Sequence, residues 1–565
     1  MDRLAPVAPS DEIDLYVRTY SSLLRSTGEV RVRAFEEAHA YSTSALHPGA
    51  LAQELDLHAF AYAAARLPAA MIGIRHVVLG QSHELFEAAG YDVVSWAMVR
   101  TRGRRRPLRF DGKDTLAVFI ASVSDIDDLV PILTAYQIEW NKMHARLHGA
   151  AIEKGGAVDE DAVRAALGVD EGGWQKTCDA FGTGGILAGL RALAAAPLDL
   201  RVRMLAASYS QYQRSAQRWW SGVEPTYMRA KEPRRPPVYF VSSNTHAVAN
   251  LLGGYARAKK DDIATYARTK NPEGLSDTVE QAISGSDDAE LSSLLYYLLR
   301  GYIHDGPPSR MREVREFEAR GGLVHMSEPG HIDVDAQLID LSKVRADQLD
   351  PRLHVPGLER LARSEAVILN IDYPLGMAAY HLLSRIGQGT GEVRGVYVMG
   401  KAATLNGRVG DVSLSGAVYD EHSRNTFLFK NAFHANDVRP YLRFGSVFDN
   451  QSALTVRSAF LQNKSYMGTF YRDGYTVLEM EAGPFLSALY ELVYPSRVPT
   501  NELVQLADKT PFDLGILHYA SDTPYSRRQS LLSKSLSYFG VDATYACAIA
   551  IVRRILTLEV ERASG

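Results

Sequence analysis

The sequence predicts an α/β protein: a mixed, mostly parallel twisted sheet flanked by helices in the C-terminal half, preceded by a mainly helical α+β N-terminal region. From residue 238 onward, short apolar runs typical of buried strands alternate with segments of helical periodicity. Before residue 230, apolar residues recur mainly at helical spacing. The stiff, charged stretch 231–237 (KEPRRPP) cannot continue a helix. We therefore expect two regions, 1–232 and 233–565.

The first region is helical over residues 12–95 and 150–230, with a strand at Thr115–Ala121 and a long helix over Asp125–Leu147. Before that strand lies a basic stretch interrupted by Gly103 and Pro107. A phosphate or RNA grip is one interpretation, but we favour a solvated hairpin or an interface with an acidic patch of another subunit. The basic residues of this stretch are Arg100, Arg102, Arg104, Arg105, Arg106 and Arg109.

In the second region, the strands have the lengths and β-branched content of buried sheet strands, and the helices between them are amphipathic. The last helix is expected over Ala543–Glu561 and an earlier one over Met377–Ile386. Strands are predicted at Val238–Val241, Leu323–Met326, Ala336–Leu341, Ala366–Ile371, Val393–Met399, Val412–Tyr419, Ser446–Phe448, Thr476–Met480 and Gly515–Tyr519.

Composition excludes several classes of protein. The net charge of -4 over 565 residues gives no electrostatic basis for a dedicated nucleic-acid binder. No apolar run is long enough to cross a bilayer, and the N-terminal residues do not resemble a secretory signal. Cys178 and Cys547 are the only cysteines and cannot build a disulfide framework or a thiolate zinc cage. We expect a cytoplasmic protein without membrane contact, and no cofactor or metal.

A strand, a small polar turn and a helix start follow one another at Val238–Ala247. The turn residues are Ser242, Ser243, Asn244, Thr245 and His246. Free backbone N–H groups and the helix dipole make such a turn an anion site. An ordinary helix cap by Ser, Asn or Thr explains the same pattern.

Two carboxylates end the strand predicted at Thr476–Met480. Side chains alternate along a strand, so Glu479 and Glu481 point to one face and Leu478 and Met480 to the other. A carboxylate pair without a local basic partner suits a ligand with hydroxyl donors, such as the vicinal diol of a sugar. The alternative is a capped strand–helix junction with acidic residues in the first helical turn.

Five short motifs follow one another along the second region. They are Ile371-Asp372-Tyr373-Pro374-Leu375-Gly376, Met399-Gly400-Lys401-Ala402, Gly410-Asp411-Val412, Glu479-Met480-Glu481-Ala482 and Ala520-Ser521-Asp522. In this order and spacing, residues 235–565 resemble the nucleoside phosphorylase and nucleosidase superfamily. The long N-terminal half has no counterpart in the small members; two-domain members of the AMP nucleosidase type also carry an extra N-terminal domain.

The resemblance implies a phosphorylase-like sheet fold that cleaves the N-glycosidic bond between a purine and ribose. It assigns the ribose hydroxyls to Glu481, the sugar face to Met480, and protonation or hydrogen bonding of the base to Asp522. Asp522 needs a raised pKa to act as an acid near neutrality, and burial beside the base would raise it. A helix cap or an Asx turn before Pro524 is the structural alternative for Asp522.

The attacking group is either water or phosphate. Phosphorolytic relatives place an Arg just before the Gly of the central turn, whereas Val398 and Met399 stand there in this chain. This departure favours hydrolysis. Lys401 is interpreted as a ligand for inorganic phosphate or for a substrate 5′-phosphate, or as a side chain that reaches solvent. Asp372 is unusual in its turn and is a candidate for positioning water.

Base recognition is expected from the section 419–463. Phe433 is a candidate for stacking on a purine, although alternating phenylalanines are also typical of strand cores. Asn450 is a candidate hydrogen-bond partner for the base. The predicted partners are a nucleoside or nucleotide, with phosphate as a further candidate, and further copies of the chain in a homo-oligomer. A phosphorylase and an inactive nucleotide-binding regulator remain the alternatives to a nucleosidase.

Overall fold

The computed structural model describes residues 11–26, 28–104, 106–148, 159–182, 185–206, 208–285, 287–506, 510–524 and 538–563, except the side chains of residues 331 and 539. Its strands are β1 (Val30–Arg31), β2 (His76–Gly80), β3 (Ala97–Val99), β4 (Leu108–Phe110), β5 (Thr115–Phe119), β6 (Arg201–Met204), β7 (Val238–Ser242), β8 (Leu323–Met326), β9 (Ala336–Asp340), β10 (Val367–Ile371), β11 (Val393–Thr404), β12 (Val412–Asp420), β13 (Thr426–Leu428), β14 (Val447–Thr455), β15 (Tyr475–Glu479), β16 (Leu503–Gln505) and β17 (Asp513–Asp522).

Helices cover both sheets. They are α1 (Asp11–Ser26), α2 (Arg33–Tyr41), α3 (Leu57–Ala65), α4 (His83–Ala88), α5 (Val123–Leu147), α6 (Glu160–Leu167), α7 (Glu171–Phe181), α8 (Ile186–Ala195), α9 (Tyr209–Ala230), α10 (Ala247–Gly253), α11 (Tyr255–Ala258), α12 (Lys260–Lys270), α13 (Ser276–Ser284), α14 (Asp288–His304), α15 (Ser309–Arg320), α16 (Met377–Gly389), α17 (Ala435–Val438), α18 (Lys464–Arg472), α19 (Ala482–Val493) and α20 (Tyr538–Arg562).

The first half contains a six-stranded sheet in the order β1-β6-β2-β5-β4-β3. The predicted strand at 115 and the predicted helix at 125 are confirmed as β5 and α5. Ser122 caps α5 in a capping box with Asp125, which fixes where this 25-residue helix begins. The sheet was not predicted beyond β5, because its other strands are short and lie between strongly helical segments.

The second half is built on an 11-stranded mixed sheet, in which six of the eleven described pairings are parallel. The predicted α/β class is confirmed. Strands β11, β17, β12, β14 and β15 each pair with the next, and β15 pairs again with β11. These five strands form a closed barrel at one end of the sheet. A closed ring leaves no free strand edge and holds the strand ends in fixed positions.

Residues of each half pack into the hydrophobic core of the other half. Helix α9 precedes the predicted boundary, yet Trp219 and Trp220 are buried among residues of the second sheet, and the Trp219 indole donates to the Val334 carbonyl at 2.8 Å. Conversely, Phe460 and Leu461 pack into the core of the first half. The halves are thus packed against each other over an extensive apolar contact.

The start of α5 is the polar part of this contact. The Ser124 hydroxyl accepts a hydrogen bond from the Met377 amide at 2.9 Å and lies 3.3 Å from Nε2 of His422. Nδ1 of His422 lies 2.9 Å from Asp420. Ser124 is fully buried at 0% exposure, so this Ser–His–Asp arrangement joins the halves and is closed to a substrate. The contact between Ser124 and Met377 places the first half directly over the loops that follow β10 and β15.

Candidate active site

The junction between β15 and α19 is organised by Glu479. One oxygen of its carboxylate accepts from the amides of Glu481 and Ala482, both at 2.7 Å, and the other accepts from the Thr455 hydroxyl. Glu479 therefore caps α19 at the positive end of the helix dipole. The direct ligand contact predicted for Glu479 does not fit this arrangement, because both oxygens already have donors. Its carboxylate holds the backbone of residue 481 in place.

Glu481 occupies the N-cap position of α19 and is half-buried. Among the described residues, no side chain donates a hydrogen bond to its carboxyl, and the Met480 backbone amide is the group that does. Burial, followed by the nearby Glu479 carboxylate, raises the pKa of Glu481 to about 8. Met480, also half-buried, packs beside it against a small apolar cluster that includes Leu478. The Glu481 carboxyl thus keeps the capacity to accept further hydrogen bonds, and carboxyls with a raised pKa are enriched at functional sites.

Asp522 is the last residue of β17. The Ser521 hydroxyl donates to its Oδ2 at 3.0 Å, while its Oδ1 is buried and has no hydrogen-bond partner among the described residues. Burial raises the pKa of Asp522, although Ser521, Arg66 and Lys401 oppose the increase. The helix-cap alternative for this residue concerns residues 525–537, which lie outside the described part of the chain.

Strand β11 brings the two carboxyl groups to the same end of the barrel. Ala403 of β11 pairs with Asp522 on one side and with Leu478, three residues before Glu481, on the other. Two strand spacings therefore separate the backbones of Asp522 and Leu478, roughly 10 Å. Gly400 and Lys401 lie on the same segment of β11, opposite His518 and Tyr519 of β17.

Two arginines of the first half reach this end of the barrel. Arg104 lies close enough to Glu481 to lower the pKa of that carboxyl, and Arg66 acts in the same way on Asp522. Neither arginine forms an ion pair with these carboxyls within the described residues, so neither carboxyl is held permanently ionised. Sequence reasoning missed Arg66, which stands as a single basic residue at the end of α3 and gave no local signal.

Lys401 completes the cationic surroundings. It is exposed on one side, while crowding by protein around its ammonium lowers its pKa against the opposing effect of Asp522. Gly400 is buried and faces the His518 ring, with room left for a Cβ atom. The phosphate or substrate contacts of both residues stay predictions.

The turn after β7 does not offer the predicted anion site. Oδ1 of Asn244 accepts from the amides of His246 at 3.1 Å and Ala247 at 2.6 Å, which occupies the donors that an anion would need. The Ser243 hydroxyl donates to Asn370 at 2.7 Å, and Ser242 is buried within β7. His246 is exposed at the start of α10. The helix-cap interpretation fits, because the protein itself satisfies these groups.

Asp372 lies at the start of the loop between β10 and α16. It is 1% exposed, and its carboxylate accepts from the Tyr373 amide at 3.0 Å. The far end of this loop, at Gly376, approaches the Met480 carbonyl, so that a Cβ at residue 376 would lie 3.7 Å from that oxygen. The loop therefore borders the site, whereas the water-positioning role of Asp372 stays a prediction.

Two predicted base contacts lie elsewhere. Phe433 is buried in the core against Tyr397, with ring centroids 5.7 Å apart, and it fills the space beside Gly515. Gly515 precedes Asp522 by seven residues of the same strand, or roughly 23 Å. Asn450 is exposed in a left-handed conformation (φ 53°) at an irregularity of β14, several residues before its carboxyl end. Neither side chain lines the carboxylate site.

His518 is a polar residue that sequence reasoning missed. Its Nε2 lies 3.9 Å from Glu479, and its Nδ1 is buried without a hydrogen-bond partner among the described residues. Burial lowers the pKa of His518 to about 4, so the imidazole is neutral near pH 7. A lone polar residue within the otherwise apolar run 514–520 was the available signal.

The basic stretch connects β3 and β4 as a hairpin, and two of its arginines bind carboxylates of α5. Arg106 is buried and pairs with Asp125 at 3.0 Å and Asp128 at 2.9 Å, and Arg104 shares Asp128 at 3.1 Å. Arg105 lies outside the described residues. The acidic partners belong to α5 of the same chain, which corrects the predicted contact with another subunit.

The described residues contain neither a membrane-spanning helix nor a metal-binding cluster. No helix there has the length and apolar character needed to cross a membrane. No group of three or more His, Cys, Asp or Glu side chains in the same residues is arranged to hold a metal ion.

Fold and site together define an α/β protein with a closed five-stranded barrel, one end of which carries two carboxyl groups and lies near arginines of a second α/β region. The chain belongs to DUF6909, a family of unknown function whose model matches residues 32–557. No curated protein matches the sequence.

The chain is similar to several solved structures over part of its length. A 5′-methylthioadenosine/S-adenosylhomocysteine nucleosidase from Neisseria meningitidis shares 11% identity over 40% of this chain and 86% of that one, with a TM-score of 0.26. A purine nucleoside phosphorylase from Toxoplasma gondii shares 11% identity, covering 45% and 90%, with a TM-score of 0.29. A uridine phosphorylase from Vibrio fischeri shares 10% identity, covering 44% and 88%, with a TM-score of 0.29.

Proposed function

We propose that the protein cleaves the N-glycosidic bond of a purine nucleoside or nucleotide, with water rather than phosphate as the attacking group. The observation that supports this proposal is the pair Glu481 and Asp522. Two carboxyls with raised pKa lie on either side of the same segment of β11. Among the described residues, no side chain donates to Glu481, and Oδ1 of Asp522 has no hydrogen-bond partner. Breaking a glycosidic bond creates positive charge on the sugar and negative charge on the base, which needs two such groups.

Glu481 is assigned to the ribose. Among the described residues, its carboxyl accepts from the Met480 backbone and from no side chain, and a vicinal diol supplies two further hydroxyl donors. These hydrogen bonds favour the carboxylate form and lower its pKa on binding. The resulting negative charge then lies beside the sugar as its ring becomes cationic, so that the interaction strengthens in the transition state.

Asp522 is assigned to the leaving base. Because burial raises its pKa, a larger fraction of the carboxyl is protonated near neutrality than in an ordinary Asp. A protonated carboxyl donates to a ring nitrogen of the departing purine and relieves its negative charge. Ser521, which donates to Oδ2 at 3.0 Å, fixes the orientation that leaves Oδ1 for the base.

Water is favoured as the attacking group because the residues before Gly400 are apolar. Val398 and Met399 are buried in the core and offer no guanidinium to hold phosphate. In this proposal, the region 233–565 carries the chemistry and the region 1–232 covers the site with charged side chains.

The proposal is tested by incubating the full-length protein with adenosine, guanosine, inosine and their 5′-monophosphates, with and without inorganic phosphate, and by measuring free base by chromatography. Release of base in phosphate-free buffer is the expected result. Release only with phosphate would make the protein a phosphorylase. No release from any of these compounds, together with measurable binding, would replace the enzyme assignment by that of a nucleotide-binding regulator.

A further inference from the structure

Arg66 and Arg104 present donors that the protein does not use. The Nε atoms of both side chains are buried and have no hydrogen-bond partner among the described residues. Their other described contacts hold them in place: Nη1 of Arg66 donates to the Tyr62 carbonyl at 3.1 Å, and Nη2 of Arg104 donates to Asp128 at 3.1 Å. A buried guanidinium N–H without an acceptor is costly, so a site with two of them calls for an anion.

The Arg66 side chain is held against the loop that carries Arg104. The Arg66 guanidinium carbon lies 3.3 Å from the centre of the Tyr62 ring, which is a cation–π contact that sets its plane. The loop carrying Arg104 folds against Arg66, because the amides of Arg102 and Gly103 both donate to the Ala65 carbonyl, at 3.0 and 2.7 Å. The Arg66 side chain also packs on Gly103. A planar, pre-oriented pair of guanidiniums suits a phosphate group better than a flexible ammonium does.

The local charges do not cancel. Asp125 and Asp128 are the carboxylates bound to this group of arginines, and Arg106 takes Asp125 and shares Asp128 with Arg104. Arg66 and Lys401 have no carboxylate of their own within the described residues. The nearest acids, Glu481 and Asp522, carry raised pKa values and thus reduced negative charge. Arg66 and Lys401 therefore leave positive charge on this side of the site that an anion would neutralise.

Solvent reaches Arg104 through a cleft of about 340 Å³ between the β3–β4 hairpin and residues 327–335. One wall of this cleft carries Arg100, Arg104, Arg106 and Arg109. The opposite wall carries Glu328, Asp333 and Asp335, which repel an anion from that side. An anionic group entering the cleft is therefore held at the arginine wall, where Arg104 is the side chain that also lowers the pKa of Glu481.

We infer that Arg66 and Arg104 form a phosphate-binding subsite beside Glu481 and Asp522, and that the preferred substrate carries a phosphate on its ribose. The inference rests on the proposed function, because the sugar and base contacts place the substrate's phosphate within reach of the first half. It gives the first half a definite part in substrate selection.

The inference is tested by isothermal titration calorimetry of the full-length protein with adenosine 5′-monophosphate and with adenosine. The variants are Arg66→Gln, Arg104→Gln and Arg66→Lys, with Arg102→Gln as the matched control. Arg102 is exposed in the same loop and donates to the Ala180 carbonyl. Circular dichroism melting curves identify any variant that has lost its fold, and the two arginine positions provide independent readings.

We expect the wild-type protein to bind the monophosphate at least about tenfold more tightly than adenosine, since a charge-assisted hydrogen bond is worth that much or more. Arg66→Gln and Arg104→Gln each reduce the affinity for the monophosphate about tenfold or more and reduce that for adenosine by a clearly smaller factor, which in Arg104→Gln reflects the loss of a charge that lowers the pKa of Glu481. Arg66→Lys gives an intermediate value, because it keeps the charge but not the planar fork. Arg102→Gln changes neither affinity.

Equal wild-type affinities for the two compounds overturn the inference, even if both release base and the proposed function stands. Acceleration of base release from adenosine by inorganic phosphate, lost in Arg66→Gln, also overturns it, because the subsite then takes free phosphate. Tight, arginine-dependent binding of the monophosphate without any base release supports the subsite while rejecting the proposed function.

Discussion

Two strand–turn–helix junctions of the second half have the same design and different outcomes. After β7, Asn244 caps α10 and the neighbouring Ser243 hydroxyl binds Asn370. After β15, Glu479 caps α19 in the same way, but the carboxyl of Glu481, at the N-cap position, receives no side-chain donor among the described residues and accepts from the Met480 backbone alone. The first junction satisfies its polar groups, whereas the second keeps a carboxyl that can accept further hydrogen bonds.

The comparison teaches that a helix start becomes a candidate site only if a polar group remains after capping. Capping stabilises both junctions by supplying acceptors to the first free amides. At the second junction the cap is itself an acid, and its charge helps to raise the pKa of Glu481 to about 8. Perturbed carboxyls of this kind are concentrated at functional sites.

The largest expected effect comes from Glu481→Gln. If the carboxylate stabilises the sugar cation, kcat/KM for base release falls about 100-fold to 1000-fold, because the amide carries no charge. Steady-state kinetics on the best substrate measure this loss. Glu491→Gln is the matched control: Glu491 lies on the same helix, and its pKa is also raised by burial, but it accepts from the Tyr380 hydroxyl at 2.6 Å. An unchanged rate in Glu481→Gln would remove the assignment.

The pH dependence of nucleoside binding is the next largest effect. The carboxylate form of Glu481 binds the diol, and its pKa in the free protein is about 8. Affinity should therefore rise with pH, by up to about tenfold per pH unit between pH 6 and 8, and level off above pH 8. Calorimetry at several pH values measures it. Glu481→Gln should abolish this rise, and a wild-type affinity that is flat over the range would contradict the assignment.

Stability should change in the opposite direction to activity at this residue. The folded pKa of Glu481 lies above the ordinary value of 4.5, so the free carboxylate destabilises the fold increasingly as the pH rises from about 4.5 to 8. Glu481→Gln should thus raise the free energy of unfolding at pH 8, by about 1 kcal/mol for a group that is partly exposed. Denaturant unfolding monitored at pH 5 and pH 8 measures the difference. Equal stability changes at both pH values would count against the raised pKa.

The smallest expected effect is that of Asn244→Ala at the first junction. Loss of the cap costs about 1 kcal/mol of stability, which lowers the melting temperature of a chain of 565 residues by about one degree. Substrate affinity should change less than twofold, because neither of the amides it frees contacts the substrate in the proposed function. A tenfold loss of affinity with an unchanged melting temperature would restore the anion site predicted for residues 242–246.

Much of the second half could be predicted because its strands can be recognised from the local sequence. The runs at 323–326, 367–371 and 412–420 are short, apolar and bounded by turns, and each is a strand within one residue of its predicted limits. The barrel could not be predicted, because β17 pairs with both β11 and β12, which precede it by about a hundred residues. Phe433 was assigned to the base for the same reason: its contact with Gly515 is a tertiary one.

By itself, the sequence determined the fold class, the position of the chain's stiff break and the identity of the two acids whose roles we propose, since periodicity, proline and short motifs are local properties. Only the tertiary structure decided that Glu479 caps a helix whereas Glu481 does not. It also decided that Arg66 and Arg104 of the other half lie near the site. Hydrogen-bond satisfaction and charge balance depend on every neighbour in space. Neighbours that are distant along the chain cannot be recognised from the local sequence.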